Sequence, residues 1–295
     1  MAVVGYASID FVWRAASPPA PGRTSLLVGP VEPAPRYGGC GPNVAVELAR
    51  LGQNVGLVSW LGADQYGEAY LAYLRDAGVA TEAVQVAPGR ASPRTILVYD
   101  PAGSATCLYH PSGSASQELD AAGVELIEAA RAVALTVAPA RLTEATLDSG
   151  ARGNLVAWNV KADPDAYPIA LRRRLIEVAD LICLNEDELG FLGEALPEEG
   201  GPALARVRRV SGAVIVLTAG LGGCLVDWPA GQAAVPADPV EVDDPTGAGD
   251  AFFAAFLDAM LDGADPPGAA RAASAHAARF LRSRSADAQS EGVTR

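Results

Sequence analysis

Residues 243–250 combine acidic and small side chains in the sequence DDPTGAGD, and apolar residues recur at helical spacing after them as far as Leu261. This spacing predicts a helix that begins near Gly249, with Asp250 in its first turn. Small residues before a helix let backbone N–H groups approach an anion closely, and the helix N-terminus favours negative charge.

A carboxylate at the same place can take a proton from a hydroxyl that is aimed at the anion. Phosphoryl transfer to an alcohol needs this arrangement, because the reaction requires charge stabilisation beside a group that accepts the hydroxyl proton. The alternative is a glycine-rich turn in which Asp250 only complements the helix dipole.

Composition excludes several other classes of function. The chain has 295 residues, with 22 Lys and Arg against 35 Asp and Glu, so the formal charge is −13. Non-specific nucleic-acid binding needs a basic surface, so we expect no nucleic-acid partner. No apolar run approaches the roughly 20 residues that cross a bilayer, and the N-terminus lacks the basic region of a signal peptide, so no membrane association is expected.

Cysteine and histidine usage narrows the chemistry further. The four cysteines are far apart and form no CxxC pair, which indicates reduced thiols and a cytoplasmic location. The two histidines form no HExxH motif. Walker A, GxxxxGK[ST], is absent, and no GxGxxG follows the first predicted strand, so neither a P-loop kinase nor a dinucleotide-binding dehydrogenase is favoured.

Short apolar runs alternate with segments of helical period along the chain. The predicted strands are Ala2–Gly5, Val55–Ser59, Val133–Ala138, Leu155–Asn159, Leu181–Leu184 and Val214–Thr218. The predicted helices are Val44–Leu51, Tyr66–Asp76, Leu119–Arg131, Ala166–Ala179 and Leu204–Ser211. Strands that are apolar throughout are usually buried on both faces, so the pattern predicts an α/β fold with a mostly parallel sheet between helices.

Two segments interrupt this alternation. Residues 11–35 are rich in Pro and Gly, and residues 90–112 alternate in the manner of a β-hairpin around a Pro-Ala-Gly turn. We expect both to form strands of a small sheet that projects from the main domain. Surface loops and one isolated hairpin are the alternative.

The segment at residues 243–250 resembles the C-terminal signature of the ribokinase-like (PfkB) family of carbohydrate and nucleoside kinases. Residues 38–45, GGCGPNVA, with residues 48–52, LARLG, resemble the N-terminal signature, and residues 62–67 resemble the GxDxxG turn that follows it. The resemblance covers nearly the whole chain. It implies one domain over residues 1–295, with a three-layer αβα core and a small β-lid from residues 11–35 and 90–112.

The resemblance also assigns roles at the site of phosphoryl transfer. Asp250 matches the catalytic base of the family, and Gly247, Ala248 and Gly249 match the anion hole that steadies the transferring phosphoryl group.

On the acceptor side, Asp10 matches the acid that holds substrate hydroxyls, and it ends the first strand in the sequence GYASID. An ionised carboxylate can accept two such charge-assisted hydrogen bonds. Gly38, Gly39 and Asn43 match the rest of this pocket.

The nucleotide side is assigned in the same way. Asn185 and Glu188 resemble the NxxE motif of the family and lie three residues apart, so they share a helical face, where oxygen atoms suit Mg²⁺ held through water. A solvated helix start is the alternative. Asp244 resembles a ligand for K⁺. The remaining nucleotide residues implied are Thr218, Gly220 and Gly223 of a phosphate loop and His276 beside adenine.

One strand end departs from the family pattern. Residues 157–161 read AWNVK where many relatives have Asp-x-Asn-x-Arg, so Asn159 and Lys161 fit and Ala157 does not. Lys161 could face phosphates as a compact charge, without the two-pronged geometry of Arg.

Together these features predict an ATP- and Mg²⁺-dependent kinase that phosphorylates a hydroxyl of a small sugar, in the manner of fructokinases and ribokinases. A nucleoside kinase acting on a substrate such as adenosine is the alternative, since such enzymes share both signatures. A non-catalytic sugar-binding relative is a third interpretation. Exposed strand edges in the hairpin could also pair two chains into a homodimer through the lid.

Overall fold

The computed structural model describes residues 1–30, 35–103, 105–113, 117–149, 153–199, 201–240 and 245–292. Its strands are β1 (Ala2–Val4), β2 (Ser8–Ala15), β3 (Leu27–Pro30), β4 (Arg36–Gly38), β5 (Gly56–Gly62), β6 (Val84–Ala87), β7 (Arg94–Tyr99), β8 (Ala105–His110), β9 (Ala132–Leu135), β10 (Leu155–Asn159), β11 (Leu181–Leu184), β12 (Val214–Thr218), β13 (Cys224–Trp228) and β14 (Gly231–Val235).

The helices are α1 (Cys40–Arg50), α2 (Gln65–Asp76), α3 (Ala121–Ala129), α4 (Ala140–Asp148), α5 (Ile169–Val178), α6 (Glu186–Gly193), α7 (Ala203–Val210), α8 (Ala248–Leu261) and α9 (Pro266–Gly292).

The main sheet has the strand order β14-β13-β12-β11-β10-β9-β1-β5-β6. Its strands run parallel from β12 to β6, and β13 and β14 are antiparallel. One hydrophobic core joins the sheet to α1, α2, α8 and α9, and a second joins its other face to α3 through α7. The predicted α/β fold with three layers is therefore confirmed.

All six predicted strands form, with shifted ends at three of them, β1, β5 and β9. The predicted helix at Val44–Leu51 begins earlier, at Cys40, because Gly39 takes a backbone angle φ of 97° and turns the chain into α1. The antiparallel pair β13 and β14 and the helix α4 were not predicted. These elements are short, nine residues in α4 and five in each strand, so each covers less of the chain than the window over which periodicity is read reliably.

The sheet contains a reversal of strand order beside β1. The chain runs outward from β1 to β5 and β6, then returns to β9 on the other side of β1 and proceeds away from it. Ligands of open parallel sheets bind beyond the carboxyl ends of the strands at such a point. Gly5 lies there, and a Cβ atom added to it would be 1.8 Å from Thr136 Oγ1 and 3.0 Å from Gly41 Cα of α1.

A second sheet has the order β3-β2-β7-β8, with β4 also paired to β2. Its strands come mainly from the two segments predicted to form a small sheet, at residues 11–35 and 90–112. The sheet also includes residues before the first segment, since β2 begins at Ser8. Asp10 therefore lies within this second sheet and not at the end of the first strand, which stops at Val4.

Within the described residues, no helix is long and apolar enough to cross a membrane. The thiols of Cys40, Cys107, Cys183 and Cys224 are free. The cytoplasmic location stays a prediction from the sequence.

We predict that Gly5→Ala lowers the free energy of unfolding by about 1–3 kcal/mol, because the new methyl group would overlap Thr136 Oγ1 and the α1 backbone. Gly190→Ala in α6 is the control, since no atom lies within 4 Å of its added Cβ. Urea unfolding of both variants measures the difference. Equal stability of Gly5→Ala and the wild type would contradict this account of the packing at β1.

Candidate active site

The helix α8 begins where the sequence predicts, directly after Gly247. Gly247 caps the helix with a left-handed φ of 85°, and Ala248 N donates a hydrogen bond to Pro245 O at 3.1 Å. Asp250 lies in the first turn and is 6% exposed. A carboxylate is thus buried at a helix N-terminus, where the helix dipole favours negative charge.

Two amide groups hold the Asp250 carboxylate. Asn43 Nδ2 donates to Asp250 Oδ2 at 2.9 Å, and Asn159 Nδ2 donates to Asp250 Oδ1 at 2.9 Å. Asn43 lies in the first turn of α1, and Asn159 is the last residue of β10. Each carboxylate oxygen keeps a further lone pair, so Asp250 can still accept a proton or a hydrogen bond from a substrate.

A partly exposed cation lies near this carboxylate. Lys161 Nζ is 3.8 Å from Glu188 Oε1. Burial alone would lower the pKa of Lys161, but the nearby carboxylates of Asp250 and Glu188 act in the opposite direction and that pKa is raised above its usual range. Lys161 therefore stays an ammonium ion and partly balances the carboxylates.

The thiol of Cys40, at the start of α1, lies in the same environment. Burial, reinforced by the charge of Asp250, raises the pKa of Cys40 to about 12. Cys40 is therefore a neutral thiol at physiological pH, and the nucleophilic thiolate form is suppressed.

On the acceptor side, Asp10 occupies the middle of β2, aligned with Arg36 of β4 and Thr95 of β7. Burial raises the pKa of Asp10, although the hydroxyls of Ser8 and Thr95 and the charge of Arg36 act in the opposite direction. Asp10 Oδ1 is buried and accepts no hydrogen bond from any described residue. A buried acceptor of this kind is costly unless a ligand donates to it, which fits a substrate hydroxyl.

There is no space for a Cβ atom at Gly38 or at Gly39, so both positions require glycine. A Cβ atom at Gly38 would lie 1.9 Å from Asp10 Oδ2, and one at Gly39 would lie 2.2 Å from Tyr6 O. Tyr70 Oη also donates a hydrogen bond to Gly38 O. The two glycines therefore let the start of α1 pack directly against β2, the strand that carries Asp10, as the predicted pocket requires.

An aromatic cluster includes a residue on the sheet face that carries Asp10, and the sequence analysis did not predict this cluster. Asp10 is aligned with Thr95, which in turn is aligned with Tyr109 of β8, so the three share one face of the second sheet. The rings of Tyr109 and Tyr6 are 5.2 Å apart between centroids, and Trp60 lies 5.9 Å from Tyr6. No spacing in the sequence relates these residues, because they come from three separate strand regions.

The residues predicted for magnesium form a helix cap. Asn185 Oδ1 accepts from Glu188 N, and Glu188 Oε2 accepts from Asn185 N, which is the reciprocal pattern of a capping box. Burial raises the pKa of Glu188, against the effect of Lys161. Asn185 and Glu188 therefore cap α6, and Oε1 of Glu188 faces Lys161, so one carboxylate oxygen remains for further contacts.

The predicted phosphate loop follows β12. Thr218 Oγ1 donates to Leu184 O at 3.2 Å, and Gly220–Gly222 forms one turn of 3₁₀ helix. Gly223 has a φ of 90°, and a Cβ atom there would lie 2.2 Å from Val235 O. The glycine at position 223 is therefore needed to join β12 to the antiparallel strand β13.

His276 takes a packing role between α9 and α1. Its Nε2 is 2.7 Å from Glu47 Oε2, and its Nδ1 is 3.4 Å from Arg279 Nη2. Glu47 is 5% exposed and also accepts from Arg50 at 2.6 Å. Both ring nitrogens are thus used within the protein, and these contacts give no support to the predicted position beside adenine. Asp244, the predicted K⁺ ligand, lies outside the described residues.

One contact joins the second sheet to the signature segment. Tyr99 Oη and Thr246 Oγ1 share a hydrogen bond at 2.6 Å, and Arg284 Nη1 donates to Thr246 O at 3.0 Å. The sheet that carries Asp10 is therefore tied to the segment that carries Asp250. Sequence reasoning also missed this contact, since Tyr99 belongs to no motif.

A family model described as the pfkB family carbohydrate kinase matches residues 1–291. The chain belongs to this family. A nucleoside kinase of Methanothermobacter thermautotrophicus is 27% identical over 274 residues, which cover 92% of this chain and 86% of that protein. A ribokinase of Bacillus subtilis is 28% identical over 272 residues, which cover 91% and 88%.

The structure of Arabidopsis thaliana ribokinase complexed with ribose and ATP matches with a TM-score of 0.80 at 23% identity, covering 95% of this chain and 92% of that one. The fold is therefore ribokinase-like. Membership of the pfkB family makes the chain a phosphotransferase by family, and the acceptor varies among these relatives.

We predict that His276→Ala lowers the free energy of unfolding by about 1–3 kcal/mol, because Glu47 then loses a hydrogen-bond partner in a buried position. The KM for ATP should stay within about twofold, since the ring contacts α1. Arg271→Ala, at an exposed position of the same helix, is the control. A large rise in the KM for ATP with unchanged stability would instead support the adenine assignment.

Proposed function

We propose that this pfkB-family protein transfers the γ-phosphoryl group of ATP to a hydroxyl of a small sugar. The observation that carries the proposal is the buried carboxylate of Asp250 in the first turn of α8, directly after Gly247. In this reaction the acceptor oxygen bonds to the γ-phosphorus and the bond from that phosphorus to the β-bridging oxygen breaks. ADP leaves, and Asp250 takes the hydroxyl proton.

Charge that develops on the phosphoryl group needs donors that are already in place. Ala248 N donates to Pro245 O, so we expect the N–H groups of Gly247 and Gly249 to be the main backbone donors. Lys161 supplies a positive charge on the β10 side. On the acceptor side, Asp10 would hold the sugar through hydroxyl groups that donate to its buried oxygen atoms, with Gly38 and Gly39 providing the room.

The nucleotide would lie along the carboxyl ends of β11 and β12, where Asn185, Thr218, Gly220 and Gly223 are placed. Described residues include no group of three or more His, Cys, Asp or Glu side chains that could hold a metal. Mg²⁺ therefore fits here only with nucleotide phosphates and water as its main ligands and with Glu188 in contact through water. When bound, Mg²⁺ offsets phosphate charge. A K⁺ site at Asp244 stays a prediction.

The second sheet serves in this proposal as a lid on one kinase domain, as predicted from the sequence. Its Tyr99–Thr246 contact supports closure over the site of transfer. Exposed apolar side chains on this sheet and its edge, Leu27, Ile96 and Leu108, are consistent with the predicted homodimer through the lid.

We predict that Asp250→Asn lowers kcat by at least about 100-fold, because the amide cannot accept the hydroxyl proton as a base. The KM for ATP should stay within a few-fold. Asp258→Asn is the matched control on the same helix, where the side chain accepts from Gln53 Nε2 at 2.5 Å and an amide oxygen can do the same. Coupled ADP release measures both variants.

Unfolding is measured on the same samples, because Asn43 or Asn159 would face an NH₂ group in Asp250→Asn. If Asp250 only complemented the helix dipole, the variant would lose about 0.3–1 kcal/mol of stability and keep near-normal turnover. A folded variant with more than about a tenth of the wild-type kcat contradicts the proposed mechanism. If none of the tested acceptors leads to ADP release by the wild type, the non-catalytic sugar-binding interpretation is favoured.

A nucleoside acceptor is the second candidate, and the aromatic pair of Tyr6 and Tyr109 favours it. These rings lie along the face of the lid that carries Asp10. A ribose held at Asp10 would direct an attached base towards them, and aromatic rings stack on nucleobases. The nucleoside kinase among the relatives is consistent with this arrangement.

We predict that the acceptor KM of the Tyr109→Leu variant distinguishes a nucleoside acceptor from a simple sugar. The variant and the wild type are assayed with hexoses, pentoses and nucleosides. For a nucleoside substrate, loss of the ring should raise the acceptor KM about tenfold, since stacking contributes roughly 1–3 kcal/mol per base. For a simple sugar the acceptor KM should change less than about threefold. Leu108→Ala is the control, because Leu108 is the neighbouring exposed residue on the opposite face of β8.

A further inference from the structure

Three elements from distant parts of the chain meet at the Asp250 carboxylate. They are the first turn of α1, the end of β10 and the first turn of α8. Asn43 and Asn159 donate to different oxygens of this carboxylate, both at 2.9 Å. Two donors on two oxygens define the plane of the carboxylate and not only its position.

The two donors differ in their surroundings. Asn43 lies three residues after Cys40 at the start of α1, on the side of the acceptor pocket. Asn159 is 4% exposed, between Trp158 and Val160, which are both fully buried. It is aligned with Cys183 inside the parallel sheet. The amide of Asn159 is therefore carried by the buried end of a central strand, two residues before Lys161.

We propose that Asn159 is a positioning residue for phosphoryl transfer: it fixes the orientation of the Asp250 carboxylate. This inference rests on the proposed role of Asp250 as the base. Asn159 acts through Asp250, and its amide N–H bonds to the oxygen that Asn43 does not hold.

The chemistry of the amide explains why asparagine suits this position. Its NH₂ group donates to a carboxylate, and such hydrogen bonds to the charged form stabilise that form. An aspartate at position 159 would have the same shape, but its oxygens would face those of Asp250 at about the same separation. Two like charges that close cannot both be ionised without a large cost.

The first test is Asn159→Leu, which keeps the approximate shape and removes the donor. We expect kcat to fall about 10- to 100-fold, because a misplaced catalytic group costs rate out of proportion to the displacement. The KM values for ATP and for the acceptor should stay within about threefold. Asn154→Leu is the matched control, since Asn154 Nδ2 donates to Ile127 O at 2.9 Å at the opposite end of the same strand.

The control separates positioning from support of the fold. Asn154→Leu should lower stability and leave kcat unchanged. If both leucine variants lose stability and kcat in parallel, Asn159 is only a structural residue and the inference is wrong.

A second test combines the change with Asp250→Asn. If Asn159 acts through Asp250, Asn159→Leu should alter the residual rate of Asp250→Asn by less than about twofold, because the function it supports is already lost. An equal further loss in that background would show that Asn159 acts independently of Asp250, which overturns the inference. Wild-type kcat in Asn159→Leu, beside a slow Asp250→Asn, would remove this inference and leave the proposed function intact.

Asn159→Asp covers the case in which the leucine variant does not fold. It retains the shape of the side chain and replaces the donor by an acceptor. Its kcat at neutral pH should fall at least as far as that of Asn159→Leu. A folded Asn159→Asp enzyme with wild-type kcat would overturn the inference by itself.

Discussion

The burial of the Asp250 carboxylate is the constraint to which the rest of the site is adjusted. Removing a carboxylate from water is costly unless hydrogen bonds or charges compensate. Here the compensation comes from the amides of Asn43 and Asn159 and from the N-terminus of α8. The ends of α1, β10 and α8 must therefore meet at one point for the carboxylate to be tolerated, and their meeting creates the site.

Positive, negative and neutral titratable groups lie close together around the Asp250 carboxylate. Lys161 is held as an ammonium ion close to Glu188, while Cys40 is kept as a neutral thiol between acidic neighbours. Lys161 thus faces the carboxylates of Asp250 and Glu188 before any phosphate arrives. The N-termini of α6 and α8 add partial positive charge that does not depend on a titratable group. This charge favours both the binding of a phosphate and the presence of a carboxylate next to it.

Close backbone contact builds the acceptor side. Gly5 and Gly41 bring the start of α1 against the end of β1, and Gly38 passes the Asp10 carboxylate at a distance that excludes any Cβ. Asp10 itself belongs to the second sheet, so the proposed acceptor site combines residues of that sheet and of the main domain. The hydrogen bond between Tyr99 and Thr246 joins the same two parts on the phosphate side. Movement of the second sheet would therefore change both sides of the site together.

The sequence by itself determined the elements that local patterns encode. The buried strands were predicted from apolar runs, because burial on both faces of a sheet requires apolar side chains throughout. The helix after Gly247 was predicted from apolar residues at helical spacing. The family signatures also identified Asp250, Asp10 and the glycines near residue 38 as site residues. The structure agrees with their placement near one another, although their roles remain proposals.

Only the tertiary structure decided which side chains act on each other. It showed that Asn43 and Asn159, from α1 and β10, bind one carboxylate. It also showed that Tyr6 packs against Tyr109, which shares a sheet face with Asp10, and that His276 binds Glu47. These pairs are separated by up to 229 residues along the chain. Contacts at such separations depend on strand order and on the close packing of helices against the sheet, and neither property leaves a periodic signal in the sequence.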